Sequence, residues 1–206
     1  MRWVFAVLMS AIALASAACS GNDQAATARA GPPSCPTAWK PGWQRLANRI
    51  HAAVYCPSWM PNPLDGEIGG QWDNGVSVDP DRSYLVSFLW HEAGQAGGDV
   101  HVNFRGYPGR TAIPKCEIGE SADRRQAPCF SDAKPRRKLG QLAVTPFTVN
   151  QGADQWHVLY AWRRHGSLYT VSQHVALPLN YRKVARSLDR ITRGLVLVVP
   201  RPVQNA

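Results

Sequence analysis

The chain has 206 residues, in which Lys plus Arg outnumber Asp plus Glu by 23 to 14, a formal net charge of +9. For an exported protein, a surface that basic favours phospholipid head groups, anionic wall polymers or acidic envelope proteins, with nucleic acid the poorer match in that compartment. An arginine-rich genome would leave the same excess without any partner. The apolar run at the start, Trp3 to Leu14, is too short for a bilayer span.

Arg2, that apolar run and the small residues Ala15, Ser16, Ala17 and Ala18 ahead of Cys19 have the order of a secretory signal. Ser16 to Cys19 resembles the acceptor site of bacterial lipoproteins, with Ser16 where Leu is usual and Leu14 two residues further back. The resemblance implies that Cys19 carries lipid and anchors the mature chain to a membrane, outside the cytoplasm. Ordinary cleavage after Ala17 or Ala18, releasing a secreted protein, fits the same small residues. Shedding the signal removes one charged residue, Arg2, and leaves a net charge of +8. Ser20 to Ser34 holds no large apolar residue and cannot bury enough surface to fold, so it reads as a flexible tether. The expected organisation is a signal over 1–18, a tether over 19–34 and a single domain over 35–206. Its length suits one hydrophobic core.

With Cys19 lipidated, Cys35, Cys56, Cys116 and Cys129 remain, an even number suited to an oxidising compartment. Three pairings are possible. Cys35–Cys56 and Cys116–Cys129 are favoured because each closes a short loop, the second clipping a polar insert that shows no periodicity. A four-cysteine metal site lacks the Cys-x-x-Cys spacing it would need.

Along the domain, Trp43, Leu46, Ala47, Ile50, Ala53 and Val54 fall at helical spacing over 42–54, with Pro41 as a helix opener. Pro57, Pro61 and Pro63 keep the following stretch extended. The period then becomes two. Residues 83–92 carry apolar side chains on both faces, as a central strand does. A glycine-rich loop, 93–98, leads to a strand over 99–105 with Val100, Val102 and Phe104 inward. Residues 141–150 and 156–164 read as two more strands. His165-Gly166 predicts a two-residue turn closing a hairpin over 156–175. Its register sets Trp162 against Tyr169 and places Trp156, Val158, Tyr160, Val171 and Val175 on the buried face. A helix over 181–193 buries Val184, Ala185, Leu188 and Ile191 and turns Arg182, Lys183, Arg186 and Arg190 outward. Gly194 caps it before an apolar strand, 195–199. The expected fold is α+β: a curved antiparallel sheet with an N-terminal and a C-terminal helix packed on it.

The run Tyr160-Ala161-Trp162, then Gly166, Tyr169, Ser172, His174 and the helix ending Ser187-Leu188, resembles the closing hairpin and helix of PsbP-like domains. It also resembles a domain of unknown function found in bacterial envelope lipoproteins and anti-sigma proteins. Residues 54–61 are similar to the Pro-x-x-Leu-Pro opening of that second family. These stretches cover about a third of the mature chain. They imply a non-catalytic envelope protein, and the insert over 116–129 belongs to neither pattern.

Three constellations invite chemistry. His91-Glu92-Ala93-Gly94-Gln95 lacks the second histidine that a zinc peptidase helix requires, since Gln95 stands in its place. His157 and His174 fall opposite one another in the predicted hairpin, on the face away from the aromatic row. Opposed β-carbons lie ~5 Å apart, close enough for two imidazoles to share zinc or copper, given a third ligand from elsewhere. Arg124, Arg125, Lys134, Arg136, Arg137 and Lys138 bracket the second disulfide and offer a landing surface for anionic lipid or wall polymer; solvated surface charge is the plainer account. No nucleophile elbow, phosphate loop or cofactor fingerprint is present. The leading expectation is a non-enzymatic envelope lipoprotein that binds a partner protein, a lipid or an anionic wall component. The alternative is a secreted metal-binding or hydrolytic protein using His157 and His174.

Overall fold

A computed structural model describes residues 31–62, 64, 76–90, 100–120, 123–177 and 179–202. The signal, Cys19 and most of the tether lie outside the described residues, as do His91, Glu92 and Gln95. Among the described residues no helix is long and apolar enough to cross a membrane.

The first helix, α1 (Lys40–Ile50), buries Trp43, Leu46, Ala47 and Ile50, the stripe read from the sequence. It ends earlier than the periodicity suggests. His51 adopts a left-handed backbone, φ 50°, and its N–H closes the last turn on Ala47 and Asn48. Val54 therefore belongs not to the helix but to β1 (Val54–Pro57), all four residues of which are buried. Then follow β2 (Val76–Val78), β3 (Tyr84–Trp90) and β4 (Val100–Tyr107). Next come β5 (Lys115–Ile118), β6 (Arg125–Pro128), β7 (Phe130–Ala133) and β8 (Arg137–Leu139). The chain closes with β9 (Leu142–Asn150), β10 (His157–Arg164), β11 (Ser167–His174), α2 (Tyr181–Arg193) and β12 (Leu195–Val198).

The main sheet is antiparallel, in the order β2-β3-β4-β11-β10-β9-β7, with β8 pairing β9. Together with the two helices this is the α+β class expected. The β10–β11 hairpin turns on His165 and Gly166, both at positive φ (49° and 71°), as a twist-matched two-residue turn requires. Its register pairs Trp162 with Tyr169 and His157 with His174.

One face of the sheet is aromatic and aliphatic and lies under both helices. Trp39 and Trp43 of the α1 region meet Phe88 and Phe104 edge to face at 5.1 and 5.7 Å. Val184, Leu188 and Ile191 of α2 join the same buried cluster. Gly106 has no room for a side chain, because a β-carbon there would stand 2.3 Å from the ring of Tyr84. Trp156 departs from expectation. It is 73% exposed at φ 63°, in the turn that leads into β10 rather than on the buried face.

Both predicted disulfides are present, Cys35–Cys56 and Cys116–Cys129. They fit an oxidising, extracytoplasmic environment. The polar insert between Cys116 and Cys129 is not loop throughout: β5 and β6 pair within it as a separate two-stranded sheet. The last strand, β12, also leaves the main sheet and pairs antiparallel with β1.

Candidate functional site

The second face of the main sheet carries a row of polar groups. Alternation in β4 sends Val102 and Phe104 into the core and turns His101, Asn103 and Arg105 to the opposite side. Asn103 lies opposite Ser87 on β3 and Ser172 on β11. His157 on β10 and His174 on β11 share that face by the hairpin register. Lower on the same face, Phe130, Phe147, Leu159, Ala161 and Leu168 form a small apolar cluster.

Asp154 reaches this face from a 3₁₀ turn, Gly152–Asp154, in the β9–β10 connection. Gly152 at φ 61° opens the turn, and the Asn150 side chain fastens it by donating Nδ2 to the His157 carbonyl at 2.7 Å. The Asp154 carboxylate accepts from Ser172 Oγ at 2.6 Å, Asn103 Nδ2 at 3.0 Å and Arg105 Nε at 2.9 Å. Asn103 Oδ1 in turn accepts from Ser87 Oγ at 2.7 Å. Burial pushes the Asp154 carboxyl up; the Arg105 charge and the bonds from Ser172 and Asn103, with His157, outweigh it and hold the group below its ordinary 3.8.

The three histidines meet beside this carboxylate. Ring centroids are 4.6 Å apart for His101–His157, 4.8 Å for His101–His174 and 5.3 Å for His157–His174. His157 is 3% exposed. Its Nδ1 stands 2.9 Å from Ser172 Oγ, and its Nε2 2.7 Å from His101 Nε2. Because the Ser172 hydroxyl donates to Asp154, it is left to accept at its oxygen, which assigns the His157 proton to Nδ1. Nε2 of His157 therefore presents a lone pair toward His101. Burial drives the His157 pKa down to about 3; Asp154 opposes this, while His101, His174 and Arg105 add to it. The imidazole is neutral at physiological pH. Nδ1 of His174 is buried and has no hydrogen-bond partner among the described residues.

Among the described residues no group of three or more His, Cys, Asp or Glu could hold a metal ion with the side chains as they stand. Nor is this a serine hydrolase relay. There the serine would donate to histidine and histidine to the acid. Here Ser172 sits between the other two and is 1% exposed, out of reach of a substrate.

The sequence brings His157 and His174 together as read, but His101, Asp154, Asn103, Arg105 and Ser172 escape it. The signal for β4 was visible. Residues 99–105 alternate, and three polar residues in register on a strand apolar on its other side mark a face with work of its own.

The six basic residues do not occupy a single constrained loop. Arg124 and Arg125 sit by the β5–β6 hairpin, whereas Lys134, Arg136, Arg137 and Lys138 run from β7 into β8 beside β9. Arg124 faces Glu117 at 3.7 Å, Lys134 faces Asp132 at 2.7 Å, and Arg137 faces Asp189 of α2 at 2.9 Å while also donating to Tyr160. Arg125, Arg136 and Lys138 are exposed and make no ion pair among the described residues.

No family model, curated protein or solved structure matches this chain, so its function has to be argued from these side chains alone.

Proposed function

We propose that this chain is an exported, lipid-tethered envelope protein that binds a transition-metal ion, zinc or copper, on His101, His157 and His174. The observation that carries the reading is the convergence of three imidazoles from three adjacent strands, with centroids all within 5.3 Å. Imidazole nitrogen is the common ligand for both metals. A neutral His157 has the free Nε2 that a ligand needs, and metal entry requires His101, whose Nε2–H now donates to it, to carry its proton on Nδ1 instead. Asp154 acting through Ser172 fixes the ring and its tautomer, the role a carboxylate plays behind a metal-bound histidine. Two nitrogens bound to one tetrahedral ion at ~2.0–2.1 Å stand ~3.3 Å apart. The His101 and His157 nitrogens, now 2.7 Å apart, would have to part by a few tenths of an ångström each.

The test is calorimetric titration of tag-free, chelator-stripped protein with Zn²⁺ and with Cu²⁺. One equivalent should bind, and His101→Gln, His157→Gln and His174→Gln should each weaken affinity at least tenfold. His101 and His174 are only partly buried, so their variants test the site with little risk to folding. No heat above background for the wild type, or equal binding by the triple variant, would end the reading.

A second reading, docking on an anionic surface, is favoured by one contact. The Arg137–Asp189 pair ties β8, with its exposed Arg136 and Lys138 neighbours, to α2, which carries the exposed Arg182 and Arg186. Each cation near an anionic membrane contributes ~1 kcal/mol. Vesicles containing phosphatidylglycerol should retain the protein at low salt and lose it when Arg136, Lys138, Arg182 and Arg186 are changed to Gln. Retention unchanged by those substitutions would refute this reading.

A further inference from the structure

On the opposite side of the fold from the histidines in register, where α2 ends and β12 begins, lies a cleft of about 340 Å³. Its apolar wall is made by Tyr55 of β1, Leu142 of β9 and Leu195 and Leu197 of β12, and two guanidinium groups, Arg164 and Arg193, stand in its lining. Among the described residues no acidic side chain lines it. Arg164 is exposed at the end of β10, and its side chain donates to the neighbouring His165 ring. Arg193 has Asp189 at 3.8 Å, but that carboxylate is already engaged by Arg137 at 2.9 Å and the Tyr160 hydroxyl at 2.8 Å. Both cations are thus largely uncompensated. Behind them, Thr192 is 2% exposed and its hydroxyl has no hydrogen-bond partner. Leu197 is 39% exposed, its side chain open at the mouth of the cleft it lines.

We infer that this cleft binds a single-chain anionic amphiphile, its acid group held by Arg164 and Arg193 and its hydrocarbon laid along Leu142, Leu195 and Leu197. The physical case is complementarity of both kinds in one place. Two arginines favour a carboxylate or phosphate, which they meet by forked, charge-assisted hydrogen bonds. An apolar floor beside them excludes a bare ion as the natural occupant, because the leucines would then stay wet. The volume lies at the low end for small-molecule sites, which suits one alkyl chain better than two. The inference is independent of the histidine centre.

The experiment is calorimetric titration of the intact domain with laurate and with lauryl phosphate below their micellar concentrations, and with dodecanol and inorganic phosphate alone. Laurate or lauryl phosphate should bind one to one, and which binds more tightly tells a fatty acid from a phosphate-headed lipid as the source. Dodecanol and inorganic phosphate should each bind at least tenfold more weakly. Arg164→Gln with Arg193→Gln should weaken the amphiphile at least tenfold, and Leu197→Ser should weaken it without affecting inorganic phosphate. All three residues are exposed, so these variants should keep the wild-type circular dichroism and, where the histidine centre binds metal, the wild-type metal titration. Equal binding of dodecanol, equal binding of inorganic phosphate, or full affinity in the double arginine variant would each overturn the inference.

Discussion

Replacing Asp154 by Ala tests whether the polar face is a designed network or a set of coincident contacts. The carboxylate is 6% exposed and accepts from three groups, so its removal strands a guanidinium, an amide and a hydroxyl at once. Breaking a buried ion pair by deleting one partner costs about 3–5 kcal/mol. The Arg105 side chain keeps 23% exposure and recovers some hydration, which places its share at the lower end. Asn103 and Ser172, at 3% and 1% exposure, are reached less easily by water, and each loses one acceptor at about 1 kcal/mol. Water entering the vacated space returns part of that, so the expected total is about 3–5 kcal/mol. For a domain of this size the melting temperature should fall by roughly 6–20 °C. Urea unfolding followed by tryptophan fluorescence, with disulfides intact, measures the free energy directly. Adding Arg105→Met to Asp154→Ala should recover about 1–3 kcal/mol, because the uncompensated charge is then gone. A loss below about 1 kcal/mol for the single variant, or no recovery in the double, would refute the account of this network.

Acid should destabilise the metal-free protein well before ordinary carboxylate titration begins. The folded His157 stays neutral down to about 3, whereas the unfolded imidazole protonates near 6.5. Between those values the unfolded state holds the extra proton, so stability is complete above about pH 6.5 and falls by up to ~1.4 kcal/mol per unit as pH drops. Asp154, held below 3.8, adds a loss of the same sign at the acid end of that window. Thermal melts in chelator from pH 8 to 4 should show the decline, and His157→Gln should flatten it; a wild-type melting temperature constant over that range would contradict the assignment. Gly106→Ala drives a β-carbon into the Tyr84 ring and should cost about 1–3 kcal/mol in urea unfolding. Tyr84→Val in the same chain should relieve most of the clash, and a stable single variant would show that the sheet yields there more easily than its packing implies.

How much of this was legible in the sequence depended on how local the cause was. The β10–β11 hairpin could be read because two residues, His165 and Gly166, set its turn and thereby its whole register. Helix α2 could be read because its buried stripe is regular and Gly194 closes it; the Asn180 cap, whose side chain accepts from Lys183 N–H, was not picked out. The short strands β2, β5, β6, β7 and β8 were not, since three or four residues give too little alternation to distinguish from a loop. The end of α1 was misplaced because Ala53 and Val54 continue its apolar spacing; pairing of Val54 with Val198 at the far end of the chain decides the matter. The histidine centre was half legible for the same reason. His157 and His174 are joined by a turn, but His101 arrives through β4–β11 pairing, and Asp154 through a turn anchored by Asn150, contacts that no local pattern announces. Trp156 differs because its alternation matches the strand that follows, while its backbone, at positive φ, has not yet entered that strand.

The Cys35–Cys56 bond has a mechanical meaning. A pull arriving from the N-terminal side reaches residue 35 and passes through sulfur directly to residue 56, so α1, which lies between them, carries no load. The force then falls on β1, held along its length by β12, and only afterwards on anything that leads to the main sheet. Tension there would be met first by a covalent link and then by a two-stranded clasp, before any of it reached the strands that carry the histidines.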